Sequence, residues 1–267
     1  MPRLPKLLLA LVGIAAGCAT APPPAPESSP AQRRIDRLLV EQRLPQYVGR
    51  LQRAALRVAG DPTDAHLAQA LRLRPRIETQ LAPDAVVSEV ARRVSESFDE
   101  PAVARIERFG ESRVGRRVHE ASGAAYSRLS RLGYRIFGAP KGEPPERVAL
   151  VRKLDELTLS RQTTVELYMR VYASMVRWYQ ARGFVDLEES DAVGGIGGLL
   201  ARERERVEAI GARHGDPFTL YAFSGLSTPE IEEYLALIES PAGQWYVKAV
   251  REALLEAIDG RCEAIRR

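Results

Sequence analysis

The chain has 267 residues, of which 45% are hydrophobic and 28% are charged, a composition typical of soluble globular proteins. Its two cysteines are too few for a disulfide-stabilised scaffold, and a chain of this length can bury a sufficient core without disulfides. The formal net charge is +4, but acidic residues are interspersed with the basic ones. The charge pattern therefore argues against a nucleic-acid partner.

Residues 1–17 have the pattern of a secretory signal peptide. A positively charged start precedes an apolar run from Leu7 to Gly17, which is too short to span a bilayer. The run ends in Ala15-Ala16-Gly17-Cys18, and small residues before a cysteine resemble the lipobox of bacterial lipoproteins. The resemblance implies that Cys18 is lipidated and anchors the mature protein to a membrane. The alternative is an ordinary signal peptide cleaved near Ala16, with Cys18 incidental.

Residues 18–32 form a proline-rich segment that contains the run Ala21-Pro22-Pro23-Pro24-Ala25-Pro26. Closely spaced prolines favour the extended polyproline II conformation and prevent helix formation. The segment is therefore predicted to be a tether between the lipid anchor and a folded body. In Gram-negative lipoproteins an aspartate after the lipidated cysteine retains the protein in the inner membrane. Ala19 at this position implies, by resemblance, an outer-membrane lipoprotein that faces the periplasm.

From Arg33 onward, apolar residues recur at steps of three and four, the period of an amphipathic helix, and no alternating strand pattern occurs. The predicted fold class is therefore all-α, a helical bundle. The three clearest apolar stripes are Val103, Ile106 and Phe109, continuing after a break with Val114 and Val118; Val165, Tyr168, Tyr172, Met175 and Tyr179; and Val247, Val250, Leu254, Ile258, Cys262 and Ile265. Prolines are expected in the first turns of helices, at Pro45, Pro62, Pro83, Pro101, Pro217, Pro229 and Pro241.

Two segments of the body are similar at a constant offset, since 229 − 101, 239 − 111 and 243 − 115 all equal 128. The apolar positions that correspond are Val103 with Ile231, Ile106 with Tyr234, Phe109 with Leu237 and Val118 with Tyr246. Residues 34–39 also resemble residues 150–155, and a turn-rich segment at 138–145 separates the halves. We therefore predict two tandem helical repeats, a degenerate one at 33–142 and a second at 143–267. The alternative is chance similarity between amphipathic helices.

A short motif in the second repeat resembles a known family. Its residues are Ser227, Glu239, Ser240, Pro241, Gly243 and Gln244. They are similar to the signature of the bacterial envelope family of domains of unknown function numbered 2059. The resemblance implies an all-helical envelope domain in which one helix ends near a Ser-Pro-x-Gly-Gln turn and a second follows. That family has no assigned chemistry, and the first repeat has Arg113 and Arg116 in place of the proline and glutamine.

Residue types that commonly carry catalysis or bind metals are few. His66, His119 and His214 are not spaced as a metal motif, and Cys262 lies on an apolar stripe, which favours packing over a nucleophilic role. Gly194-Gly195-Ile196-Gly197-Gly198 lacks the lysine and the preceding strand of a phosphate loop, so it is predicted to be a flexible loop. Residues 213–217 are predicted to form a turn. We therefore predict no catalytic site, no metal site and no cofactor.

Three hypotheses for the function follow. The first is a non-enzymatic helical module, anchored by lipid in the cell envelope, that docks a protein partner there. The second is a carrier or sensor of a hydrophobic ligand held between the two halves. The third, an enzyme, is supported by no catalytic constellation in the sequence.

Overall fold

The computed structural model describes residues 28–60, 67–132, 142–184 and 194–267, and these ranges are helical with no strand. The all-α prediction is confirmed. The helices are α1 (Pro30–Glu41), α2 (Leu44–Ala59), α3 (Leu67–Gln80), α4 (Pro83–Glu96), α5 (Glu100–Glu111), α6 (Arg113–Leu132), α7 (Pro145–Thr158), α8 (Ser160–Gln180), α9 (Gly195–Ala222), α10 (Thr228–Glu239) and α11 (Pro241–Arg266). The signal peptide, Cys18, the tether as far as position 27, Pro62 and His66 lie outside the described residues. The first helix begins at Pro30, inside the segment predicted to be a non-helical tether, because a proline is tolerated in a first turn.

Local capping signals account for most of the helix starts. Pro45, Pro83, Pro101, Pro229 and Pro241 lie in first turns, where the missing N–H costs no hydrogen bond. At α10, the Glu230 carboxylate accepts hydrogen bonds from the backbone N–H of Ser227, at 2.8 Å, and from its hydroxyl, at 2.9 Å. At α11, the Ser240 hydroxyl accepts from the backbone N–H of Gly243 at 3.2 Å. These contacts satisfy donors that would otherwise be unpaired at the helix ends.

The helix α9 differs most from the prediction. The expected loop is helical from Gly195 onward, and the expected turn at 213–217, with a helix start at Pro217, lies inside the same helix. Both expectations are wrong. Leu220 and Ala222 beyond the proline are buried, so packing offsets the backbone hydrogen bond that the proline cannot donate. At the start of α9, Gly194 and Gly195 both have positive φ, a backbone conformation that favours glycine.

The buried face of α8 is rotated from the predicted stripe. Of the predicted positions, only Val165 and Met175 are buried, whereas the residues of α8 in the main core are Leu167, Val171, Met175 and Trp178. Trp178 is 2% exposed and packs edge-on against Tyr179, with ring centroids 5.3 Å apart. The prediction erred because tyrosines can line a face that is only half-buried, where the ring packs and the hydroxyl finds a polar partner, as Tyr168 does in the Glu203 carboxylate at 2.7 Å.

Buried apolar side chains form two clusters. The first cluster joins α1–α5 with α8 and α11, around residues such as Ile35, Leu39 and Ile258. The second cluster joins α6, α7, α9 and α10, around Ile231 and Ile238. The last helix, α11, packs against α3, α4, α5, α8 and α10. Because each cluster draws residues from both sides of position 142, the structure does not confirm two separate units, and the tandem repeat stays a prediction.

Candidate functional site

A cavity of about 360 Å³ lies between the two clusters, and we call it the central cavity. Leu38, Leu44 and Leu254 of the first cluster line it, as do Val118, Leu154 and Ile238 of the second cluster. Small-molecule sites are typically apolar clefts of roughly 300–1,000 Å³ with a few polar groups that orient the ligand. The central cavity has this size and this kind of lining.

Part of the lining is the turn between α1 and α2, which we call the Arg43 end because it lies at the N-terminal end of α2. Arg43 has a φ of 65°, a left-handed backbone that L-residues other than glycine rarely adopt. Its guanidinium lies against α6 at Gly123, where a Cβ would sit 3.1 Å from Nε and from Nη2. Gln42, His119 and Ser122 also line the cavity. Glycine at position 123 therefore makes room for a cationic side chain at this end.

A second part of the lining is the turn between α7 and α8, which we call the Arg251 end because it lies at the N-terminal end of α8. The Tyr47 hydroxyl of α2 donates to the Thr164 hydroxyl of α8 at 3.0 Å, so the starts of α2 and α8 are in contact. Leu159 has a φ of 50°, and its neighbours Thr158 and Ser160 line the cavity. Arg251 of α11 donates to the Glu166 carboxylate at 2.9 Å and to the Thr163 hydroxyl at 3.2 Å. The guanidinium at this end is thus already paired within the protein.

Tyr246 of α11 places a polar atom in an apolar part of the lining. Its side chain is 6% exposed, and its buried hydroxyl has no hydrogen-bond partner among the described residues. Burial is the largest cause of a raised pKa for this hydroxyl, followed by the nearby Tyr234 and Glu41. A buried hydroxyl without a partner is costly, so it marks a position where a ligand's polar group would be favourable.

His119 is half-buried on α6 beside the Arg43 end. Burial lowers the pKa of its imidazole below the ordinary value of 6.5, and Arg43 lowers it further, while Glu41 acts in the opposite direction. The imidazole is therefore neutral near pH 7 and offers one donor and one acceptor to the cavity. The permanent positive charge at this end belongs to Arg43.

Of the predicted motif, Ser227 caps the start of α10, and the other residues lie at the junction of α10 and α11, next to the central cavity. Glu239 forms an ion pair with Lys153 of α7 at 2.5 Å, and Gln244 donates through Nε2 to the Ile238 carbonyl at 2.8 Å. A Cβ on Gly243 would lie 2.2 Å from the Leu237 carbonyl oxygen, so only glycine fits there. In the structure, the contacts of these motif residues hold helices together, and Gly243 also lines the cavity.

The remaining candidates for chemistry are packed or dispersed. Cys262 is 3% exposed, and burial raises the pKa of its thiol to about 11, which keeps it protonated and unreactive at neutral pH. His214 lies within α9. In the described ranges, no group of three or more His, Cys, Asp or Glu side chains is arranged to hold a metal ion.

Sequence reasoning did not select Arg43, Gly123 or Tyr246 as site residues. The available signal was the predicted correspondence of Val118 with Tyr246, which pairs a valine with a tyrosine at one apolar position. Arg43 belongs to no sequence motif. Its place in the lining depends on a backbone conformation and on a glycine 80 residues away in the sequence (123 − 43). Only the folded chain brings these groups together.

Within the described residues, no helix combines the length and apolar character needed to cross a membrane.

Comparisons with known proteins add no family to this picture. No protein-family model matches the chain, and neither the curated proteins nor the solved structures contain a significant match to it.

Proposed function

We propose that this protein is a lipid-anchored envelope protein, facing the periplasm, that binds a small hydrophobic or amphipathic molecule in the central cavity. The observation that carries this proposal is the cavity itself, about 360 Å³ of space between two apolar clusters. Space of this size, bordered by leucine, valine and isoleucine side chains, is suited to an apolar ligand.

This proposal ranks ligand binding above docking of a protein partner. The large hydrophobic residues that are exposed in the described ranges, Val40, Val58, Leu159 and Ile210, lie on different helices or turns. Protein interfaces usually present contiguous apolar patches, and singly exposed apolar residues are ordinary. The apolar surface that is grouped together lies in the cavity, which favours a small ligand over a protein partner.

The binding test compares two valines that are replaced by tryptophan. Val250 lines the central cavity, whereas Val58 is 39% exposed on α2 and is not part of the lining. The full chain should enhance the fluorescence of N-phenyl-1-naphthylamine in a saturable manner. Val250→Trp should weaken that binding by at least about ten-fold because the indole fills the space, and Val58→Trp should leave it unchanged.

Native mass spectrometry of the protein purified from its envelope provides the second readout of the same proposal. A bound lipid or other small amphiphile should be recovered with the wild-type chain and with Val58→Trp, and lost from Val250→Trp. If the dye does not bind, or binds all three proteins with the same affinity, the ligand-binding proposal is wrong.

The membrane anchor is tested separately, at Cys18. Cys18→Ala removes the thiol that lipidation requires, and multiple acyl chains are needed for stable anchoring. The variant should leave the membrane fraction and appear in the soluble periplasmic fraction, while wild type stays with the outer membrane. Equal retention of both proteins in the membrane fraction would contradict lipidation at Cys18 and leave the ligand-binding test unaffected.

A further inference from the structure

The lining of the central cavity is built from residues that correspond between the two halves of the chain. Phe109, Val118 and Ser122 lie 128 positions before Leu237, Tyr246 and Val250, and all six line the cavity. Around the two turns the offset is 116, since 154 − 38, 158 − 42 and 160 − 44 give this number for further lining pairs. The same offset, 159 − 43, relates Leu159 to Arg43. These are the two non-glycine residues with positive φ in the described ranges.

This correspondence makes the two ends of the cavity directly comparable. At the Arg43 end, an arginine on the helix–helix turn faces a glycine, Gly123, on the opposite helix. At the Arg251 end, the turn residue is Leu159 and the residue that corresponds to Gly123 is Arg251, since 251 − 123 = 128. Each end therefore has one arginine, on the turn at the Arg43 end and on the facing helix, α11, at the Arg251 end. The two guanidiniums differ in the protein groups that they contact.

The Arg251 end is electrostatically satisfied by the protein. Arg251 is paired with Glu166 at 2.9 Å, and both side chains are about three-quarters buried. Asp155 at the same end accepts a hydrogen bond from the Ser160 hydroxyl at 2.9 Å and pairs with Arg161 at 3.3 Å. A ligand headgroup at this end would have to displace these contacts.

The Arg43 end is not satisfied in this way. Arg43 is an exposed residue, and its guanidinium, which lies beside Gly123, makes no hydrogen bond or ion pair with any described residue. The N-terminus of α2 begins at the next residue and has no side-chain cap, which adds a positive partial charge. The buried Tyr246 hydroxyl, also without a partner in the described ranges, is near enough to Glu41 of this end to be influenced by its charge.

We propose that the ligand of the central cavity is a single-chain amphiphile with an anionic headgroup. Its headgroup binds the Arg43 guanidinium at the turn between α1 and α2, Tyr246 supplies a further donor, and its apolar chain lies between the two clusters. This inference rests on the proposed ligand-binding function and adds the charge and the orientation of the ligand. Glu41 is the opposing group, because its exposed carboxylate lies at the same end and repels an anion.

The experiment uses two probes with the same twelve-carbon alkyl chain, dodecanoate and dodecanol. Each is titrated to displace the naphthylamine dye from the full-length protein carrying Cys18→Ala. Dodecanoate should bind more tightly than dodecanol. Arg43→Gln should weaken dodecanoate by about ten-fold and change dodecanol by less than two-fold, since it removes a charge-assisted hydrogen bond. Glu41→Gln should tighten dodecanoate, because it removes a like charge.

Two further variants separate a headgroup contact from a change in folding. Arg105→Gln removes an exposed arginine of α5 that is not part of the lining, and it should leave both probes unchanged. Arg43→Lys keeps the positive charge and should retain part of the preference for dodecanoate. If both probes bind with equal affinity and Arg43→Gln changes neither, the headgroup assignment is wrong while the ligand-binding proposal stands. If the dye binds but neither probe displaces it, the headgroup assignment is wrong. If the dye itself does not bind, both proposals fail.

Discussion

Gly243→Ala should destabilise the protein by roughly 3 kcal/mol, one of the largest effects expected for a single methyl group. A Cβ at this position would lie 2.2 Å from the Leu237 carbonyl oxygen and 2.7 Å from the Ile238 Cα. Both are backbone atoms in the last turn of α10, so they cannot move aside as a flexible side chain would. The junction of α10 and α11 would have to open, which separates helices that belong to different clusters.

Urea unfolding followed by circular dichroism measures this effect, with Gly260→Ala as the matched control. Gly260 is also a helical glycine of α11, and a Cβ there would meet nothing within 4 Å. The control should stabilise the protein by about 0.5–1 kcal/mol, because alanine favours the helix over glycine. Gly115→Ala should resemble Gly243→Ala, since its Cβ would lie 1.8 Å from the Phe109 carbonyl oxygen. An unfolding midpoint for Gly243→Ala equal to that of wild type would contradict the close approach of the two helices.

Arg147→Met should destabilise the protein by roughly 2–3 kcal/mol. Arg147 is 8% exposed, and its guanidinium donates to the Leu226 carbonyl at 2.8 Å and to the Phe223 carbonyl, while Nε lies 3.1 Å from the Glu143 carboxylate. These contacts join α7 to the connection between α9 and α10. Methionine fills much of the same volume but donates no hydrogen bond, so the buried Leu226 carbonyl would lose its partner.

The control for this prediction is Lys153→Met, on the same helix. Lys153 pairs with Glu239 at 2.5 Å, but the two side chains are 50% and 42% exposed, so solvent screens the pair. Its loss should cost less than about 1 kcal/mol. Equal urea midpoints for Arg147→Met and Lys153→Met would show that the contacts of Arg147 add no more stability than a surface ion pair.

The features that were predicted correctly from the sequence depend on neighbouring residues. The helix starts at Ser227 and Ser240 follow from a side chain that reaches a backbone N–H three residues away, and this spacing is visible in the sequence. The burial of Leu254, Ile258, Cys262 and Ile265 in α11 follows from their helical period. Period and capping also account for the all-α fold class.

The errors arose where contacts distant in sequence outweighed local signals. Pro217 and His214 have the local pattern of a turn, yet packing of Leu220 and Ala222 against the second cluster keeps α9 continuous. The side of α8 that is buried depends on which helices contact it. Leu167 and Trp178 belong to the core because α8 packs against α11 and α2, and nothing within α8 itself specifies that choice.

The sequence alone determined the helical class and the positions of most helix starts, because each depends on interactions that span a few residues. It also contains the two offsets, 116 and 128, that relate the halves. Only the tertiary structure decided that the corresponding segments face one cavity, that Arg251 is paired, and that the Arg43 guanidinium and the Tyr246 hydroxyl have no partner among the described residues. Such pairing depends on distances between helices far apart in the chain, which periodicity and composition do not specify.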